Sequence, residues 1–246
     1  MSKYYRTIFN VQGSAFNTKS ILLDGVDDFV TMGNASSLGF DRTDAFSISA
    51  WIKRSGIGVT DTIVSKMTNV STDVGKGYLF FIASSNKLAM LMRTNNTSGN
   101  KLDIISQNTI ADTNWHHVAV TYDGSGLVSG LELYIDGQLQ TLVTRSGTLT
   151  TSITNTIGFN IGARDNTELF TAANIDEVSV YNSELSSSNI TSIYGTGVPN
   201  DITSLSPLSW WRCGDGDTAP TLTDNGSGGN NGTMTNFSTF STDVPT

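Results

Sequence analysis

The sequence predicts an all-β protein, a two-sheet antiparallel β-sandwich carrying one short helix. After residue 20, apolar and polar residues alternate along most segments, which is the pattern of strands buried on one face. Turn signals recur between those segments at short, regular intervals, as in a sandwich. Composition agrees: 37% of residues are hydrophobic, with 24 Gly and only 4 Pro, and Ser, Thr, Asn and Asp fill most of the rest.

The elements follow in order. In AFSISAWIK, Phe46, Ile48, Ala50 and Ile52 share one face, while Ser47, Ser49, Trp51 and Lys53 share the other. GYLFFIAS is apolar on both faces, as befits a strand central to its sheet, and KLAMLMR follows after Ser84-Ser85-Asn86, a spacing that reads as a hairpin. LELYID places Leu131, Leu133 and Ile135 opposite Glu132, Tyr134 and Asp136. Asp136-Gly137 then marks a second hairpin leading into QLQTLV. Ile190, Ile193 and Tyr194 sit at helical spacing after a possible N-cap, Ser186, and before Gly195, which predicts one short helix over 186–194. After Pro199 the character shifts to WWRCGDGD and DNGSGGNNGT, a Gly/Asn-rich loop that neither a helix nor a central strand tolerates. The predicted organisation is an arm at 1–19, a sandwich at 20–198, and a C-terminal segment at 199–246 that completes the sandwich or contacts another subunit.

Composition also excludes partners and chemistries. With 14 Lys plus Arg against 22 Asp plus Glu, the net charge is −8, and no basic stripe offsets it, so nucleic acid is a poor partner. Cys213 is the single cysteine, which rules out an internal disulfide, a cysteine-based zinc cluster or a redox pair. The start, MSKYYRTIFNVQGSAF, lacks the apolar stretch of a secretory signal, and no segment is long enough to span a membrane, so synthesis in a cytoplasm without membrane insertion is expected. Triplets such as Asn69-Val70-Ser71 are expected by chance in a chain this rich in Asn, Ser and Thr.

SILLDGVDDFVTMG (20–33), FSISAWIKRSG (46–56), NWHHVAVTYDGSG (114–126), LELYIDGQL (131–139), NIGARDN (160–166) and NIDEVSVYNSELSSSNITSIYGTG (174–197) appear in that order. Together they resemble the laminin G-like, concanavalin A-like lectin/glucanase superfamily, in its pentraxin-related branch. The resemblance implies a jelly-roll of two antiparallel sheets, often binding glycans or proteins and often holding a structural Ca²⁺. LSWWRCGDGD…TDNGSGGNNGTMTN, at 208–236, is similar to the segment that opens the family's domain, yet here it comes last. The domain is circularly permuted, or the tail begins a second copy, or it completes a neighbour's sandwich. The tail also resembles the ends of structural proteins of marine tailed phages.

Chemistry follows from the residues and from the resemblance. Glycoside hydrolysis needs two carboxyls flanking the bond. Asp176 and Glu177 are adjacent and are expected on opposite faces, and Glu132 and Asp136 lie about 13 Å apart along one strand. His116 and His117, as strand neighbours, also face opposite ways and cannot form one site. The expectation is therefore a protein that is not an enzyme. For Ca²⁺, Asp24, Asp27 and Asp28 cluster in one turn, and the resemblance implies that such a turn meets the strand carrying Asp176, with Asp28 and Asp176 as foremost ligands. The alternative is that these Asp residues cap turns. Trp51 and Trp115 are core residues or line a glycan cleft. Trp210 and Trp211 are consecutive, so one must leave the core, which with Leu208 makes the tail a candidate interface.

The preferred functional reading is a phage virion component, a capsid decoration, head-fibre or tail-associated lectin-like module. Its partners would be other virion proteins, further copies of itself and surface glycans. The competing reading is an extracellular or cell-surface carbohydrate-binding lectin of a bacterium.

Overall fold

The computed structural model describes residues 16–69, 75–94 and 100–246; most of the expected arm, 1–15, and Val70 and Ser71 of the Asn69 triplet fall outside these. In chain order the strands are β1 (Ser20–Asp24), β2 (Phe29–Thr31), β3 (Phe46–Arg54), β4 (Asp61–Met67), β5 (Gly77–Ile82), β6 (Lys87–Arg93), β7 (Lys101–Thr109), β8 (Trp115–Tyr122) and β9 (Leu131–Ile135). They continue with β10 (Gln138–Leu139), β11 (Leu142–Thr148), β12 (Asn160–Ile161), β13 (Ala172–Tyr181), β14 (Ser209–Trp211), β15 (Thr221–Leu222), β16 (Gly232–Thr235) and β17 (Phe240–Ser241). One α-helix, α1 (Ser187–Tyr194), separates β13 from β14.

Two antiparallel sheets face each other. The first runs β10-β9-β8-β3-β13-β1-β17, with β14 also on β13; the second runs β11-β7-β6-β5-β4-β12-β2-β16-β15. The alternation read from the sequence sets their facing. Phe46, Ile48, Ala50 and Ile52 of β3 enter the core between the sheets together with Phe80 and Met90 from the opposite sheet. Both hairpins form: β5 pairs with β6, and β9 with β10 across Asp136-Gly137, whose φ values of 51° and 71° suit a two-residue turn matching the strand twist. In α1 the Ser186 side chain accepts the Asn189 N–H, and Gly195 ends the helix at φ 63°. Its Ile190 and Ile193 form a second apolar cluster with Ala119, Tyr134 and Tyr181 on the outer face of the first sheet.

The tail lies within the same sandwich as the strands before it. β14 joins β13 beside β1, β16 sits between β2 and β15, and β17 pairs with β1. Trp211 is fully buried between the sheets against Phe159, with ring centroids 5.6 Å apart. At the end of the sandwich carrying the β1–β2 turn, Arg54 is buried with every nitrogen occupied: Nε donates to Asp61 at 2.7 Å, Nη1 to Asn86 and the Ile110 carbonyl, and Nη2 to the Val59 carbonyl. A buried guanidinium is tolerable only when paired in this way, and it ties three loops to one strand end.

Candidate functional site: an acidic turn beside an aromatic cleft

The turn from Asp24 to Asp28 joins β1 to β2. Gly25 has φ 79°, and a Cβ there would stand 2.8 Å from the Ala172 Cβ, so only glycine lets the turn pack on the start of β13. Asp24 Oδ1 accepts the N–H of Val26 at 2.8 Å and of Asp27 at 3.4 Å, and Asp28 Oδ2 accepts the N–H of Asp24 at 3.1 Å. The carboxylates therefore cap the turn, and they also converge, with one oxygen of each of Asp24, Asp27 and Asp28 within 4.8 Å of the others. Burial first, then the neighbouring charges of Asp24 and Asp27, raise the Asp28 carboxyl above its usual range.

A cleft of about 450 Å³ opens beside this turn. β17 pairs with β1 only at Ser20 and Ile21, which leaves Leu22, Leu23 and Asp24 as one wall and Phe237, Thr239, Phe240 and Ser241 of the tail as the other. Leu22 is 49% exposed, and the two phenylalanines are half-buried. Asn236 Nδ2 donates to the Asp27 carbonyl at 2.8 Å and fixes the tail to the turn. The cleft thus combines aromatic and aliphatic surface, the hydroxyls of Ser55, Thr239 and Ser241, and the carboxylates of Asp24 and Asp28. That mixture is suited to a small polar ligand with an apolar face.

Asp176 lies elsewhere. Asp24 pairs with Ala172, four residues up β13, which puts Asp176 roughly 13 Å along the strand. The expected meeting of Asp28 with Asp176 does not occur. Fully buried, Asp176 instead accepts Asn17 Nδ2 at 2.7 Å and the N–H of Glu177 at 2.8 Å. The expectation that Asp176 and Glu177 face opposite ways also needs correction. β13 bulges between Asp176 and Ser179, with Glu177 at φ 48°, and the extra residue breaks the alternation. Asp176 opposes Trp51, and Glu177 turns to the same outer side, where it accepts Trp210 Nε1 at 2.5 Å and Arg212 Nε at 3.3 Å. Burial and the adjacent Glu177 charge raise the Asp176 carboxyl well above normal; burial raises Glu177 against the pull of Arg212. Both are too enclosed to meet a substrate.

The tail residues are covered by their own chain. Leu208 packs on the inter-sheet core, Trp211 lies inside it, and Trp210 sits in the outer cluster under α1. Trp51 is buried beneath Tyr194 of α1, and half-buried Trp115 donates Nε1 to Asp243 at 2.9 Å. Neither lines the cleft. Sequence reasoning missed Phe237 and Phe240: their one signal is two aromatics in the polar run NFSTF, and only the pairing of β17 with β1 brings them to Asp24.

A family model described as the concanavalin A-like lectin/glucanases superfamily matches residues 24–191, more than half of the chain. The chain belongs to this superfamily. The same fold, at a TM-score of 0.63 and 18% identity, occurs in a Bacteroides ovatus protein described as carbohydrate binding; 93% of this chain and 61% of that one are covered. The CBM40 of the Ruminococcus gnavus IT-sialidase aligns at 0.57 and 16% identity, over 74% of this chain and all of that one, and has also been solved bound to α2,3-sialyllactose. A heptameric SAP-like pentraxin of Limulus polyphemus aligns at 0.53 and 14% identity, covering 74% and 84% of the two chains. In sequence, botulinum neurotoxin type X of Clostridium botulinum is 27% identical over 163 residues, 64% of this chain and 11% of the toxin. The chain thus spans about a tenth of that toxin's length.

Asp24, Asp27 and Asp28 offer only oxygens, a donor set that suits a hard cation such as Ca²⁺. Asp176 is not part of that set. Among the described residues no helix is long and apolar enough to cross a membrane.

Proposed function

We propose that this chain is a non-catalytic glycan-binding module whose ligand enters the cleft between β1 and the β17 tail. The observation that carries the reading is the cleft's make-up: half-buried Phe237 and Phe240 and the acidic residues Asp24 and Asp28 line the same space of about 450 Å³. A pyranose has one apolar C–H face, which an aromatic or aliphatic wall accepts, and vicinal hydroxyls, which donate to a carboxylate with up to four acceptor sites. Both cleft carboxylates come from one turn on one wall, whereas hydrolysis needs two flanking the bond; this supports binding without cleavage. A Ca²⁺ held by Asp24, Asp27 and Asp28 would tighten the turn and orient hydroxyls. The carbohydrate-binding fold relatives favour this reading over the virion reading, which rests on the tail likeness and on general features of the sequence such as its single cysteine.

A glycan array probed with the isolated protein tests the proposal, with Phe237→Ala and Asp28→Asn as variants and circular dichroism as the folding control. Saturable binding to a defined set of glycans, weakened at least tenfold in both variants, is expected. An array on which nothing binds, or on which both folded variants bind like the parent, overturns it.

A further inference from the structure

Resting on the glycan reading of the same cleft, we infer that the site selects uncharged glycans and rejects sialylated, uronic and sulfated ones. The argument is one of charge and of which groups can donate. Asp24 and Asp28 line the cleft, and Asp27 stands within 4.8 Å of both. Among the described residues no lysine or arginine lines it. The cations on neighbouring strand β3 are committed elsewhere: Lys53 Nζ to Asp243 at 2.6 Å, and Arg54 to Asp61 at 2.7 Å. The side-chain donors that the described lining offers a ligand are therefore the neutral hydroxyls of Ser55, Thr239 and Ser241.

An anionic sugar needs a charge-assisted partner, such as a guanidinium fork, to repay the desolvation of its carboxylate or sulfate. Here it would meet carboxylates instead. One oxygen of each of Asp24, Asp27 and Asp28 lies within 4.8 Å of the others, so a further negative charge meets three carboxylates gathered in one turn. The chain's net charge of −8 adds long-range repulsion of the same sign. A neutral hexose or N-acetylhexosamine inverts the balance, since its hydroxyls donate to Asp24 and Asp28 and accept from Ser55 and Thr239.

The test is a paired glycan array in a chelating buffer, so that no divalent cation bridges two anions. It carries neutral cores and the same cores capped with α2,3-sialic acid or sulfate. Neutral cores are expected to bind at least tenfold more tightly than their capped partners, and Asp27→Asn is expected to narrow that ratio. Equal or tighter binding of capped cores overturns the charge selection while leaving the glycan reading intact. Absence of binding to every glycan, both in chelator and with millimolar Ca²⁺ added, overturns both. Should Asp27→Asn fail to fold, the ratio measured on the parent protein at low and high salt decides, because electrostatic rejection must shrink with screening.

Discussion

Between pH 6.5 and about 4 the group expected to make acid destabilising is His117, whereas the lowered carboxyls of Asp41, Asp112 and Asp243 lose their contribution only below the ordinary carboxylate range. The His117 ring is fully buried between β8 and α1, with Nε2 2.7 Å from the Ser49 hydroxyl and the ring against Trp51 and Tyr194. Nδ1 has no partner. A second proton would place an uncompensated charge in an apolar setting, and burial accordingly pushes the His117 pKa from 6.5 to about 4 against a weaker pull from Asp136. Below pH 6.5 the unfolded chain binds this proton and the folded one does not, so stability falls with pH until about 4. At about 1.4 kcal/mol per pH unit over that window the loss is about 3 kcal/mol, a large share of an ordinary domain's stability. Other groups do not mimic it. His116 is held charged by Asp136 and Asp112, a contribution fully present below 6.5 and lost only as pH rises past its elevated pKa. Asp176 and Glu177, with raised carboxyls, gain stability as pH falls and mask part of the effect in the parent protein. The measurement is therefore a difference: denaturant midpoints by tryptophan fluorescence at pH 7.5, 6.5, 5.5 and 4.5 for the parent and His117→Gln. The gap between the two should close or invert by about 3 kcal/mol on acidification. Parallel lines across the whole range would refute the reasoning.

Two further outcomes are expected. Removing everything after Pro199 deletes β14 to β17, uncovers the edges of β2 and β13 and leaves Phe159 without Trp211, so the truncated chain should aggregate or lose its cooperative transition; a soluble monomer of equal stability would show that the tail contributes nothing. Millimolar Ca²⁺ should raise the melting midpoint, in proportion to RT ln(1 + [Ca²⁺]/Kd), or about 2.7 kcal/mol at a hundredfold excess over Kd, and Asp27→Asn should remove the effect. A midpoint indifferent to both Ca²⁺ and chelator would leave the three carboxylates as turn caps only.

What was legible in the sequence was what depends on local pattern. Alternation in β3 and β9, the Asp136-Gly137 turn, and the Ser186 cap with the Gly195 stop each express a backbone preference within a few residues, and each is present in the structure. The clustering of Asp24, Asp27 and Asp28 was equally local, because one tight turn must bring them together. Three things were decided only by tertiary structure. The bulge at Glu177 turns two adjacent carboxyls to one side, and it answers to β3 and β14 on the flanks of β13, which no window around Glu177 contains. Asp176 is separated from Asp28 by strand register, a property of the pairing and not of either segment. The cleft exists because β17, more than 200 residues downstream, pairs with only the first two residues of β1 and stops short of Asp24. Local sequence specifies each strand's two faces; which strand lies beside it, and how far the pairing runs, depends on burying the whole core at once, and the site forms where that pairing ends.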